Sequence, residues 1–158
     1  MIPWRVSKNV LVEAQTKARA MGSLRGSILR GKGNVAGFVG KILMYTLLQK
    51  KFSDIRYIKS SNLAIKKKTI AVRVKQRTVA PQDFYNCSAT VVSLKEKFDY
   101  FAFGQVSEDM SEFWLLGFIS WDRFMKEGHI LHKGEYDGKF VVKEDCRNIK
   151  IGDLDETI

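Results

Sequence analysis

The chain is poor in the residues that mark secreted, metal-held or linker-rich proteins. Two cysteines, Cys87 and Cys146, in 158 residues are too few for a disulfide framework. Cys87 falls in a strand-like run, where an isolated cysteine is ordinarily a buried thiol. The two histidines, His129 and His132, would need to share a helix face and recruit Cys146 to hold zinc, and no fourth ligand accompanies them. With two prolines and no Pro- or Gly-rich tract or internal repeat, nothing divides the chain, so residues 1–158 read as one domain. Long hydrophobic runs are also missing. The longest, residues 35–48, is broken by Gly37, Gly40 and Lys41 and is too short to cross a bilayer. The opening MIPWRVSK has neither the apolar stretch nor the cleavage site of a secretory signal. An intracellular location is expected.

The most informative scarcity is acid. Residues 1–80 contain only Glu13 and Asp54 against 18 Lys and Arg, a balance of +16, whereas residues 81–158 hold nine cations and fifteen acids, a balance of −6. A field of that sign concentrates polyanions, and cations that displace counterions from phosphates give salt-sensitive affinity. DNA or RNA is the partner this asymmetry favours, over an acidic protein or a merely solvated surface. What is present is otherwise globular: an apolar share of 45% with ten Phe, in a chain long enough to bury a core.

Periodicity divides the chain into elements. Val10, Ala14, Ala18 and Met21 recur at helical spacing, with Gly22 as a stop, and residues 35–49 make a second, more apolar helix that Asn34 can cap. Between them, SILRGKGN (residues 27–34) is glycine-rich and basic, a composition suited to an anion at a helix N-terminus. It is not a P-loop: Gly40-Lys41 is followed by Ile42, and the Gly required at position 35 is Val. Strands are expected at residues 55–58, 63–65, 69–75, 88–93, 100–106 and 113–120, a short helix at 121–127 and an edge strand at 139–142. The alternation at 69–75 puts Ile70, Val72 and Val74 on one face and Ala71, Arg73 and Lys75 on the other. Lys66, Lys67 and Lys68 form a hairpin-like tip of the kind that touches phosphate, or simply a solvated turn. The aromatics of residues 98–103 and 113–114 fit core packing at strand period better than base stacking. This order predicts an α/β (α+β) fold, a mixed central sheet flanked by helices.

Five segments carry a resemblance: GNVAGFVGK (33–41), NLAIKKKTIAVRVK (62–75), VAPQDFYNCS (79–88), FDYFAF (98–103) and WLLGF (114–118). Together they resemble the PD-(D/E)XK nuclease superfamily, most nearly its small phage- and virus-encoded endonuclease-like proteins, over residues 20–155. The resemblance implies a restriction-endonuclease-like core. In that family a Glu on the first core helix, an Asp on the second strand and an (Asp/Glu)-x-Lys on the third surround Mg²⁺ and orient the attacking water.

Carried onto this chain, those positions fall on Lys41, Asn62 and Ala71-Val72-Arg73, with none of the family's catalytic identities. A register shifted to Arg73-Val74-Lys75 keeps the Lys and still lacks the acid. Mg²⁺ needs oxygen ligands that these side chains do not supply as anions, so neither a metal site nor a cofactor is expected. Arg73 and Lys41 would instead meet phosphate directly. The sequence therefore points to a catalytically inactive nuclease-fold protein binding nucleic acid through Lys32, Lys41, Lys66, Lys67, Lys68, Arg73, Lys75 and Arg77. Two other readings stay open. One is a virus-encoded interaction or inhibitor protein acting on a host or viral complex. The other is an active Mg²⁺-dependent endonuclease whose acids have relocated among Glu13, Asp54, Asp83, Glu96 and Asp99.

Overall fold

The alternation at residues 69–75 is realised as a ten-residue strand, β4 (Lys68–Arg77), around which the rest of the chain is organised. A computed structural model describes residues 1–22, 35–59 and 62–158. Two short strands, β2 (Arg56–Ile58) and β3 (Asn62–Ile65), meander antiparallel into β4, with Leu63 opposite Ile70. The chain then leaves to form β5 (Asn86–Thr90) and returns as β6 (Tyr100–Ser107), parallel to β4, with Ala71 paired to Phe101 and Arg73 to Phe103. Strand β7 (Glu112–Ser120) follows antiparallel to β6, and β1 (Trp4–Arg5) closes that edge, giving a six-stranded mixed sheet in the order β1-β7-β6-β4-β3-β2.

The two faces of this sheet are covered differently. Helices α1 (Lys8–Gly22) and α2 (Val35–Gln49) lie on one of them. There Ile70, Val72, Ala102, Val106 and Phe113 pack with Val39, Ile42 and Met44 of α2. The interlock is tightest where a Cβ on Gly40 would collide with the Val74 side chain, so the helix backbone sits directly on β4. The opposite face packs on α3 (Trp121–Glu127) and on a second, three-stranded sheet of β5, β11 (Cys146–Lys150) and β8 (His129–Leu131). Its core is aromatic: Phe101 lies 5.3 Å from Trp121 and 4.5 Å from Phe124 between ring centroids. Ser120 caps α3 by accepting from the Arg123 backbone N–H at 3.2 Å. A small hairpin, β9 (Tyr136–Asp137) and β10 (Phe140–Val141), stands beside this second sheet.

The fold is α+β, with three helices and a mixed sheet among the described residues. Several boundaries move. The first helix begins at Lys8 rather than at residue 10. The strand expected at 88–93 starts and ends earlier, at Asn86–Thr90, because Cys87 and Ala89 supply its buried face; residues Val92–Lys95 form a 3-10 turn. The expected edge strand at 139–142 is the outer half of the β9–β10 hairpin. Strands β8 and β11 had no strong alternation; pairing with β5 makes β11 a strand, and pairing with β11 makes β8 one. The proposed glycine-rich anion segment, Asn34 as a cap, and Lys32 lie outside the described residues.

Candidate phosphate-binding cleft

Alternation along β4 sends Ala71, Arg73, Lys75 and Arg77 to the face opposite α2. Ala71 is fully buried against the aromatic layer. Beyond it the second sheet no longer seals the face, and Arg73, Lys75 and Arg77 open into a cleft of about 250 Å³. Asn86, Ser88 and Thr90 of β5 form its opposite wall, and none of the described residues lining it is a carboxylate. A second groove of about 450 Å³ shares Lys75, Ser88 and Thr90 with the cleft and runs on beneath the β9–β10 hairpin.

Each cation is held in its own way. The Arg73 guanidinium donates to the Val72 carbonyl at 3.0 Å and to Asn62 Oδ1 at 3.4 Å, and lies 5.9 Å from the Phe101 ring centroid. Burial lowers its pKa, partly countered by the Glu96 charge. Arg77 donates to the Asn86 carbonyl at 2.9 Å and lies 5.2 Å from the Tyr85 ring centroid. Lys75 has a solvent-exposed side chain, yet crowding around its ammonium lowers its pKa, with Arg77 adding repulsion and Asp137 opposing it. Cationic groups whose charge is penalised by burial and by one another gain most when an anion arrives.

The positions named by the resemblance converge in part. Asn62 is buried; its Oδ1 accepts from the Val72 backbone N–H at 3.0 Å as well as from Arg73, and its Nδ2 donates to the Lys59 carbonyl at 3.1 Å. Its amide thus extends the β3–β4 ladder beyond the Leu63–Ile70 pair. Half-buried Lys41 has a pKa lowered first by burial and then by the Arg73 charge, and Arg73 in turn reaches Asn62. Ala71 does not join them. Ala71 is sealed in the core, whereas Arg73 reaches Asn62 and Lys75 faces the cleft.

The remaining sequence candidates lie elsewhere. Lys66 and Lys67 form the exposed turn before β4 and Lys68 begins the strand; Lys66 adopts a left-handed backbone with φ 54°. Eight residues of extended chain put Lys67 about 26 Å from Lys75, so the tip and the cleft are separate basic features. Lys68 lies 5.3 Å from the Tyr100 ring centroid. The carboxylates considered for a relocated metal site are also dispersed. Asp54 accepts from the Lys66 backbone N–H at 2.9 Å and Asp99 from that of Thr69 at 2.8 Å, while Glu13 pairs with Lys17 at 3.4 Å. His129 and His132 do not share a helix: His129 is in β8, and His132 follows it with Nδ1 3.6 Å from Asp145. Among the described residues no three His, Cys, Asp or Glu side chains are grouped as metal ligands would be. Cys87 and Cys146 are free thiols, and burial pushes Cys87 up to about 12.

Sequence reasoning missed the β5 wall. Its signal was the interleaving of Asn86, Ser88 and Thr90 with Cys87 and Ala89, a polar stripe that shifts into register only when the strand starts at Asn86. Compared with family models, curated proteins and solved structures, the chain gives no match.

Proposed function

We propose that this chain is a restriction-endonuclease-like protein that holds nucleic acid by its phosphates instead of cutting it. The observation that carries this reading is the cleft itself: three cations on alternate residues of one strand face hydroxyl and amide donors, with no lining carboxylate among the described residues. Arg73 and Arg77 bring planar forks suited to phosphate oxygens and Lys75 a point charge, while Ser88 and Thr90 add hydroxyl donors.

Topology supports the family reading. Helix α2 is followed by the β2–β3–β4 meander; Asn62 opens the second of those strands and Arg73-Val74-Lys75 lies on the third, as the resemblance requires. The side chains do not fit the family's Mg²⁺. At the aligned positions the one side-chain oxygen is Asn62 Oδ1, which is neutral and already accepts from Val72 and Arg73. Arg73 stands where an acid would coordinate metal, so a phosphate meets the protein directly. The mechanism is occupancy.

Binding of labelled DNA and RNA measured from about 50 to 200 mM salt tests this. Wild-type affinity should fall steeply over that range, and Lys75→Ala should flatten the log–log slope by about 0.7 to 0.9, one phosphate contact. Failure to retain either nucleic acid at low salt refutes the reading. Metal-dependent plasmid cutting that Asp54→Ala abolishes would replace it with the relocated-acid nuclease.

A further inference from the structure

We infer that the cationic cleft continues into a base-stacking platform on the β9–β10 hairpin, and that the nucleic acid it accepts is therefore single-stranded. This rests on the phosphate-binding reading of the cleft. Its own basis is a chain of contacts that ties an exposed aromatic ring to the cationic row. Arg77 donates to the Asn86 carbonyl at 2.9 Å, and Asn86 Nδ2 donates to Asp137 Oδ1 at 3.0 Å. Asp137 is the cross-strand partner of Phe140. Cross-strand partners project from the same face of a hairpin, and both residues line the groove that joins the cleft at Lys75.

Phe140 is 58% exposed although it lines a groove, so its ring has no protein core to serve. The hairpin that carries it is closed by its own backbone, Val142 N–H donating to the Glu135 carbonyl at 2.8 Å and Gly134 N–H to the Val142 carbonyl at 2.9 Å, and the Asn86–Asp137 bond ties it to β5. Gly138 turns the chain at φ 61°, a conformation that suits glycine. The ring thus lines the groove that adjoins the phosphate site.

The two parts of the channel differ in charge. Arg73, Lys75 and Arg77 face no lining carboxylate in the cleft, whereas in the groove Lys75 and Lys143 are balanced by Asp137 and Glu144, and Val141 and Val142 add apolar surface. A phosphate fits the first environment and an uncharged base the second. In a duplex the base faces are stacked on their neighbours, so a ring beside a phosphate-binding row finds a free π-face only on an unpaired base.

The test compares labelled oligo(dT), oligo(U) and a mixed-sequence duplex of equal length by fluorescence anisotropy at low salt, using the full chain. Wild type should bind one or both single strands at least about fivefold more tightly than the duplex. Phe140→Ala should weaken single-strand binding by about 5- to 150-fold, the range of one lost stack, while leaving duplex affinity within about twofold. Phe140→Trp should restore it, which a merely structural role for the position would not predict. Equal binding of duplex and single strands, or Phe140→Ala weakening both alike or neither, overturns the platform and leaves phosphate binding standing. Binding of none of the three overturns both.

Discussion

Gly40 allows the contact between α2 and β4 to be tested with a sign as well as a size. An alanine methyl there would collide with the Val74 side chain, while an interior helix glycine gives up roughly 0.5 to 1 kcal/mol of propensity relative to alanine. Overpacking a fitted contact costs about 1 to 3 kcal/mol. Gly40→Ala should therefore destabilise by up to about 2.5 kcal/mol, or roughly 10 °C in Tm at 2 to 4 °C per kcal/mol for a chain of this length. In a Val74→Ala background the two clashing methyls are gone, leaving a tight contact of 3.0 Å with the Cβ at position 74 that a small shift relieves, and propensity dominates. The same substitution should then stabilise by about 0.5 to 1 kcal/mol, a coupling of about 1 to 3 kcal/mol between the two sites. Urea denaturation followed by circular dichroism on the four proteins closes the cycle. Effects that add to within about 0.5 kcal/mol would refute the close approach of α2 to β4.

Three further outcomes follow from side-chain environments. Cys87 is protonated to about 12 in the folded protein against an ordinary 9.0, so its stabilising contribution is complete below about 9 and is lost as pH rises toward 12; the stability of wild type minus that of Cys87→Ala should fall by about 1.4 kcal/mol per unit across that window, and a flat difference would contradict its burial. Lys75, although exposed, has a pKa lowered from 10.5 chiefly by desolvation of its ammonium in the cleft and then by the Arg77 charge, and phosphate favours its charged form. Oligonucleotide affinity should thus be full below the lowered value and decline as pH rises through it, beginning below 10.5, and Lys75→Arg should move that decline to higher pH; superimposable profiles would remove Lys75 from the interface. Finally, Asn62→Asp with Arg73→Glu places two carboxylates beside the retained Lys75. Isothermal titration should then detect Mn²⁺ binding that wild type lacks, whereas no gain in a variant that still folds would argue against the shifted alignment.

Much of the scaffold was legible because its cause is local. The apolar run of α2 and the alternation of Ile70, Val72 and Val74 against Ala71, Arg73 and Lys75 identify a helix and a two-faced strand from spacing alone. The missing acid of residues 1–80 identifies a cationic protein. Strands β8, β9 and β11 were not legible, since each is two to five residues long and becomes a strand through its partner rather than its own pattern. His129, His132 and Cys146, already a ligand short of a zinc site in the sequence, do not share a helix face, because residues 129–131 pair with β11.

The sequence by itself determined that this chain is basic in its first half, carries cations at alternate positions of one strand, and has no carboxylate at the positions where the resembled nucleases hold metal. Only the tertiary structure decided which of those cations act together. Lys67 and Lys75 are eight residues apart in an extended strand and so cannot share a small site, whereas Asn86 of the cleft is joined to Asp137 and Phe140 of the adjoining groove by strand pairing and hydrogen bonds. It also separated residues that alternation alone puts on one face of β4. A second layer of aromatic side chains buries Ala71, and two residues further along the same strand, where that layer ends, Arg73 and Lys75 reach the open cleft.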